Sequence, residues 1–185
     1  MKTVKSYLFL FTLLGGLSTG FCLRDRSVQL KTPPDNDGLT LPTGFSSLIA
    51  ADKLGSGRHI AVKSNGDIYL ALRSLHNGKG IVALRDTDGD GKADIIRYFG
   101  NTLTTGIAIS DGFLYYSNFE EVYRVPLPQD ELVPPGEPVV IATGFEKQNQ
   151  HQDKTFTLDG KGNLYVNVGA HSNACQETDR TPGSV

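Results

Sequence analysis

Ser64-Asn65-Gly66-Asp67-Ile68-Tyr69 places a glycine turn directly before an Ile-Tyr pair, and the same arrangement returns twice further along the chain. The later copies are Ser110-Asp111-Gly112-Phe113-Leu114-Tyr115 and Gly160-Lys161-Gly162-Asn163-Leu164-Tyr165. Their tyrosines follow one another at intervals of 46 and 50 residues, with an alternating apolar run ahead of each copy. This period predicts a β-propeller, because a four-stranded blade takes about 40 to 50 residues. The alternative is three unrelated hairpins in an irregular β domain.

Period-two alternation divides the repeat region into ten short predicted strands. They lie at 59–63, 67–72, 80–84 and 94–99 in the first unit, at 105–110, 113–117, 121–126 and 138–142 in the second, and at 155–158 and 163–168 in the third. The proline-rich stretch 127–137 is predicted to be an exposed connection, because proline cannot donate to a central ladder.

The predicted fold class is therefore all-β, with a domain over residues 44–185 that holds an incomplete run of about two and a half four-stranded blades. A propeller buries its inner strands by closing a ring, and an open run leaves apolar faces and strand edges without partners. The chain is accordingly predicted to be a propeller truncated at the C-terminus, either a fragment of a longer protein or a truncated reading frame.

Residues 1–22 have the pattern of a secretory signal peptide, with Lys2 and Lys5 ahead of a short apolar stretch at 7–17 and small residues after it. That stretch is too short to span a bilayer. A lipoprotein anchor at Cys22 competes with simple cleavage, although Phe21 stands where a small residue is usual. Residues 23–43 follow as a polar leader rich in Pro, Asp and Gly. We expect an exported protein, periplasmic or extracellular.

The charge is nearly balanced, with 18 Lys and Arg against 20 Asp and Glu, and removing Lys2 and Lys5 leaves 16 against 20. No basic stripe remains, which argues against a nucleic-acid partner. The 21 glycines, the absence of Trp and an apolar content of 38% fit a turn-rich β domain. Cys175 either bonds a cysteine outside this sequence or is a buried thiol.

The acidic stretch Asp86-Thr87-Asp88-Gly89-Asp90-Gly91-Lys92-Ala93-Asp94 predicts a Ca²⁺ site. Its carboxylates stand at loop positions 1, 3, 5 and 9, and Gly91 stands at position 6, where a tight turn is needed. The predicted ligands are Asp86, Asp88, Asp90 and Asp94. Position 12 is Arg97 and strands flank the loop, so it is not an EF-hand. The alternative is an empty, solvated acidic turn. A bound ion is expected to stabilise the hairpin and to take no part in catalysis.

His151 lies in the polar cluster Gln148-Asn149-Gln150-His151-Gln152-Asp153-Lys154, directly before a predicted inner strand. Propeller blades present side chains to the central channel at that place. An imidazole titrates near neutrality and is suited to accept a proton from an alcohol. His151 is therefore the candidate catalytic base. Arg58 and Lys154 are candidate channel-facing cations, with surface charge as the alternative for each.

One long stretch carries a specific likeness: His151-Gln152-Asp153-Lys154-Thr155-Phe156-Thr157-Leu158-Asp159-Gly160-Lys161-Gly162-Asn163-Leu164-Tyr165-Val166-Asn167-Val168-Gly169. It resembles the His-containing blade of the soluble pyrroloquinoline-quinone (PQQ)-dependent glucose/sorbosone dehydrogenase family. Residues 169–177, Gly57-Arg58-His59-Ile60-Ala61-Val62 and the acidic loop are similar to the sorbosone-dehydrogenase-like branch.

The resemblance implies a six-bladed, exported propeller that oxidises a sugar or aldose hydroxyl, with hydride transfer to bound PQQ and electrons passing on to an external acceptor. It also implies that His151 is the general base and that the quinone-binding residues lie largely beyond Val185. Glucose-oxidising members carry an Asp before this histidine, whereas this chain has Gln150. Either Asp153 takes the place of that Asp, or His151 is a weaker base. The alternative function is a non-catalytic propeller that binds carbohydrate or a protein.

Overall fold

The structure, a computed structural model, describes residues 30–146 and 149–170. Within them ten strands form three antiparallel sheets. The first blade contains β1 Gly57–Val62, β2 Ile68–His76, β3 Lys79–Arg85 and β4 Ile95–Phe99, the second contains β5 Gly106–Ser110, β6 Phe113–Ser117, β7 Val122–Pro126 and β8 Val139–Ala142, and the third sheet contains β9 Thr155–Leu158 and β10 Leu164–Asn167. A single 3₁₀ turn, Asn36–Gly38, precedes them in the described part of the chain.

The strands of each sheet are hydrogen-bonded in chain order, β1-β2-β3-β4, then β5-β6-β7-β8, then β9 with β10. This order confirms the predicted all-β class and the incomplete propeller. The largest departure from the predicted strand bounds is β2, which runs on to His76 past a register shift after Ala71. Its extension carries Arg73 and ends at the Asn77-Gly78 turn, where both residues have positive φ.

The main core lies between the first two blades. Tyr69 and Ile81 of the first blade are fully buried against Leu114, Tyr116 and Val125 of the second. In each case the side chains alternate along the strand, so every second residue faces the neighbouring blade. Burying such side chains contributes about 1.5–3 kcal/mol each relative to exposure, which makes this interface the principal stabilising contact of the domain.

The first strands of the three sheets are neighbours, because β5 contacts both β1 and β9. In an antiparallel blade, the start of the first strand and the turn between the second and third strands lie at one end. We call this the upper end, and it holds Arg58, the Asn77-Gly78 turn and the residues before Thr155. The acidic loop joins β3 to β4 and therefore lies at the opposite, lower end.

The proline-rich connection between β7 and β8 is not simply exposed, which corrects the prediction for 127–137. Leu127 and Leu132 are buried, with 1% and 9% of their surface accessible. Lys63 reaches across from the first blade, and its ammonium group donates to the carbonyl oxygens of Pro128, Gln129 and Glu131. Proline excluded the segment from the ladder as expected, but did not prevent it from packing between the blades.

The predicted signal peptide at 1–22, the anchor at Cys22 and the start of the polar leader lie outside the described residues, as do His171 and Cys175. The domain bounds therefore stay predictions. Among the residues that are described, no helix has the length and apolar character needed to cross a membrane.

Candidate functional site

Asp153 connects the third sheet to the first blade at the upper end. Its Oδ2 lies 3.2 Å from Nη2 of Arg58 and 3.5 Å from Nε of Arg73. The Asp153 side chain is 14% exposed, and its Oδ1 is buried without a hydrogen-bond partner in the described part of the chain. Two guanidinium groups thus share one carboxylate oxygen, which leaves this cluster with an excess positive charge.

Lys154 is fully buried beside this cluster, so it is not a surface charge. Its ammonium group donates to the carbonyl oxygen of Gln152 at 2.8 Å. Burial lowers the pKa of Lys154, and the charge of Asp153 opposes this shift only in part. A cation with a lowered pKa beside a solvent-accessible cluster is the kind of group that occurs at functional sites.

The backbone of Lys154 is bound by two hydroxyl groups of the second blade. The Thr105 hydroxyl accepts from the Lys154 N–H at 3.2 Å and donates to the Lys154 carbonyl at 3.1 Å. The Ser117 hydroxyl donates to the same carbonyl. These contacts fix the segment before β9 against β5 and β6, so the residues at 151–154 are positioned by all three sheets.

His151 lies at the upper end, four residues before β9, and its side chain is exposed. Its backbone has φ +50°, a left-handed conformation that non-glycine residues adopt infrequently. Gly169 faces it closely, because a Cβ at Gly169 would lie 2.6 Å from Cβ of His151. His151 is two residues before Asp153, which pairs with Arg58, while its role as a base stays a prediction.

Arg73 was not identified from the sequence, and Arg58 was identified only as a candidate cation. The available signal was the hairpin, because antiparallel pairing of β1 with β2 places Gly57 opposite Leu72 and so brings both arginines to one end. The partner Asp153 is about 80 to 95 residues away along the chain. No local pattern connects residues at such a separation.

Three of the four predicted calcium ligands converge at the lower end. Carboxylate oxygens of Asp86, Asp88 and Asp94 all lie within 4.8 Å of one another, and all three residues are exposed. Asp90 is not in this group, and its Oδ1 accepts from the N–H of Lys92 at 2.8 Å. The loop therefore offers a three-carboxylate set suited to a hard cation.

Hydrogen bonds from within the loop favour the ionised form of two of its carboxylates, those of Asp86 and Asp94. The N–H of Gly91, together with those of Gly89 and Asp88, lowers the pKa of Asp86. The hydroxyl and N–H of Thr87 lower the pKa of Asp94. Because the loop is at the lower end, it is separated by the length of the blade from His151 and the arginine cluster.

Comparison with solved structures identifies the fold. The chain is similar to the holo form of the pyranose dehydrogenase PQQ domain from Coprinopsis cinerea, with a TM-score of 0.57 and 16% identity over 66% of this chain and 30% of that one. It is also similar to a carbohydrate-active enzyme of family AA12 from Trichoderma reesei, in a calcium and an iodide structure, each with a TM-score of 0.56 and 20% identity over 66% of this chain.

At these identities the likeness concerns the fold, a partial β-propeller. The chain spans 30–32% of the length of these structures. No protein-family profile matches the sequence, and a comparison with curated protein sequences gives no match.

Proposed function

We propose that this chain is part of an exported quinoprotein oxidoreductase that oxidises a sugar or aldose hydroxyl by hydride transfer to PQQ, with His151 as general base. The observation that carries the proposal is the cluster of Arg58, Arg73 and Asp153 at the upper end of neighbouring inner strands, two residues along the chain from His151. The shared fold with a PQQ domain supports it.

The residues present fit a polyanionic cofactor in one respect. PQQ carries carboxylate groups, and planar guanidinium groups bind carboxylates with two parallel hydrogen bonds. Arg58 and Arg73 together have only one carboxylate oxygen as an ion-pair partner among the described residues. They are therefore the residues of this chain that would hold an acidic part of the cofactor. When bound, PQQ supplies the two-electron acceptor of the reaction.

His151 would take the hydroxyl proton of the substrate while the carbinol hydrogen leaves as hydride, so that the alcohol becomes a carbonyl compound. A histidine suits this step because its ordinary pKa is close to neutral. The exposed position of His151 gives a sugar access from solvent. Asp153 and Lys154 act as positioning residues, because their contacts with two other sheets hold the segment that carries His151.

A non-catalytic propeller that binds carbohydrate or a protein is the second candidate function. Two features near His151 in the chain favour it. Asp153 forms its ion pairs with Arg58 and Arg73, and Gln150 stands directly before His151, where an acid would be expected. An amide cannot stabilise an imidazolium by charge. His151 would then be a weak general base, while the surface around it could still bind a ligand.

The proposed reaction is tested with purified protein, both as this chain and as any longer polypeptide that contains it. With PQQ and Ca²⁺ present, we expect dye reduction by at least one aldose, and the dye stands in for the proposed external electron acceptor. His151→Ala should lower kcat by about 10²- to 10⁴-fold, the range for loss of a general base.

His76→Ala is the matched control, because His76 also lies at the upper end but stacks on Tyr98 at 4.7 Å. It should leave kcat within about twofold of the wild-type value. Absence of quinone-dependent activity in every polypeptide, or full activity of the His151→Ala variant, would refute the catalytic proposal and favour the binding module.

The acidic loop is proposed to bind Ca²⁺ as a structural ion. Calorimetric titration should detect binding to the wild-type chain, and at a Ca²⁺ concentration about 100-fold above the dissociation constant the ion should stabilise the fold by about 2.7 kcal/mol. Asp88→Ala should abolish binding. Asp90→Ala should weaken it less, because Asp90 lies outside the converging carboxylates. Equal losses of Ca²⁺ affinity in the two variants would contradict the observed arrangement of the carboxylates. A wild-type titration without binding heat would contradict the proposed Ca²⁺ site.

A further inference from the structure

A cavity of about 300 Å³ lies toward the lower end, between the second blade and the third sheet. The β5–β6 turn and strands β6, β7 and β8 form one side of it, and the turn between β9 and β10 forms the other. Ile141, Leu158 and Leu164 supply an apolar wall, while Arg124 supplies a guanidinium group. The volume is at the lower limit of the range for small-molecule sites.

Arg124 brings a cation without an acidic partner into this cavity. It stands in β7 opposite Tyr115 of β6, which lines the same cavity. Within residues 30–146 and 149–170 Arg124 forms no ion pair, and its Nε is buried without a hydrogen-bond partner. Its guanidinium carbon lies 4.7 Å from the centre of the Phe113 ring. The ring face attracts the charge but offers no oxygen acceptor to the N–H group.

Arg85 of the first blade shows how this chain accommodates another partly buried arginine. Its Nε and Nη2 donate to the two oxygens of Asp67 at 2.7 Å each. Planar guanidinium groups favour this bidentate arrangement with a carboxylate. A buried donor without an acceptor costs free energy, and the cost is greater for a charged group. The comparison with Arg85 therefore points to a carboxylate as the group that would complete the hydrogen bonding of Arg124.

We propose that this cavity binds a small organic monocarboxylate. The carboxylate meets the guanidinium group of Arg124, and a rotation of that side chain brings Nε onto one of the two oxygens. The apolar part of the ligand lies against the wall formed by Ile141, Leu158 and Leu164.

The charge of Asp111 favours a ligand with a single negative charge. Asp111 also lines the cavity, and its Oδ2 accepts from the hydroxyl of Ser110 at 2.8 Å. Because repulsion grows with the charge of the ligand, a dianion such as sulfate is disfavoured more than a monocarboxylate. Sulfate also has no apolar part to place against the wall.

The site is separate from the one proposed for catalysis. None of Arg58, Arg73, His151 and Asp153 lines this cavity. The β5–β6 and β9–β10 turns that bound it lie at the end of the blades opposite to that cluster. The inference therefore does not rest on the proposed dehydrogenase activity, and a chain without that activity would still bind the carboxylate.

The test is saturation-transfer NMR with the purified chain at pH 7 and constant ionic strength. The probes are acetate, propionate and benzoate, with propionamide as the uncharged control and sulfate as a dianionic competitor. We expect saturable binding of at least one of the three carboxylates, with a dissociation constant of about 1 mM, and weaker binding of propionamide and sulfate. Arg124→Leu should weaken carboxylate binding by about tenfold to a hundredfold, because it removes the charged donor.

Arg97→Leu is the matched control, because Arg97 is an exposed arginine of β4 that donates to the carbonyl of Ile96 and lies outside the cavity. It should bind as the wild type does, and so should His151→Ala. If Arg124→Leu does not fold, Ile141→Asp, at a wall residue that is 38% exposed, should abolish binding by placing a carboxylate beside the guanidinium group.

Four results would overturn the assignment. They are an absence of binding by all three carboxylates, binding of propionamide or sulfate as tight as that of the best carboxylate, unchanged affinity in Arg124→Leu or Ile141→Asp, and an equal loss of affinity in Arg97→Leu or His151→Ala.

Discussion

Asp67 shows how one buried carboxylate is kept ionised. It is 2% exposed, and its two oxygens accept from Nε and Nη2 of Arg85 at 2.7 Å each and from Asn65 at 3.0 Å. Burial alone would raise the pKa of Asp67, but the hydrogen bonds from Arg85 and Asn65 and the charges of Arg85 and Lys63 outweigh it. The net result is a lowered pKa.

Because the pKa of Asp67 is lowered in the folded state, its contribution to stability is complete at pH values above the pKa of the unfolded chain, near 3.9. That contribution is lost as the pH falls through the pKa of the folded state. Asp67→Asn should therefore lower the free energy of unfolding at pH 7 by about 3 kcal/mol, since it leaves Arg85 without its partner. The deficit should shrink below pH 4. Urea unfolding at pH 7 and pH 3 measures both effects.

Asp52→Asn is the control for this experiment, because Asp52 is 72% exposed and its ion pair with Lys53 is at the surface. The Asp52→Asn variant should change the free energy of unfolding at pH 7 by no more than about 0.5 kcal/mol. A deficit for Asp67→Asn that stays constant from pH 7 to pH 3 would contradict the role of the ionised carboxylate.

At the scale of elements, the β1–β2 turn and the β7–β8 connection are joined by Lys63. Its ammonium group donates to the carbonyl oxygens of Pro128, Gln129 and Glu131 at 2.6, 2.8 and 2.9 Å. Tyr69 adds a hydrogen bond from its hydroxyl to the carbonyl of Leu132 at 2.9 Å. A segment that cannot enter a ladder because of its prolines thus satisfies its carbonyl groups with side chains of the next blade.

Lys63→Met should retain most of the apolar stem and remove all three charge-assisted hydrogen bonds. We expect a loss of about 2 kcal/mol in the free energy of unfolding and faster hydrogen exchange over residues 127–137. Lys53→Met, at a side chain that is 91% exposed, should change neither quantity. Unaltered exchange in the Lys63 variant would mean that the buried leucines alone hold the connection.

Across the whole molecule, the third sheet depends on close packing between first strands. A Cβ added to Gly106 of β5 would lie 2.8 Å from Oγ of Ser117 and 3.0 Å from the carbonyl oxygen of Lys154. The same residues bind the segment before β9 through Thr105 and Ser117. The absence of a side chain at Gly106 therefore allows the segment before β9, which carries His151 and Asp153, to pack against β5 and β6.

Gly106→Ala should destabilise the chain by about 1–3 kcal/mol, the usual cost of overpacking, and should detach the third sheet first. Limited proteolysis should then cut earlier near residues 149–154. Gly136→Ala is the matched control, since a Cβ there meets nothing within 4 Å. Proteolysis at an unchanged rate in the Gly106 variant would show that the two sheets are not held by this contact.

The sequence by itself determined the ten strands, their order and the repeat, because alternation and glycine turns act over a few residues and each blade pairs strands that are adjacent in the chain. It also predicted that Asp86, Asp88, Asp90 and Asp94 would converge within one loop, and three of them, all except Asp90, do so. Only the tertiary structure decided that Arg58 and Arg73 share Asp153 and that Lys63 holds the proline-rich connection. These contacts join residues from different blades, and their geometry depends on how the sheets pack, which no local pattern encodes.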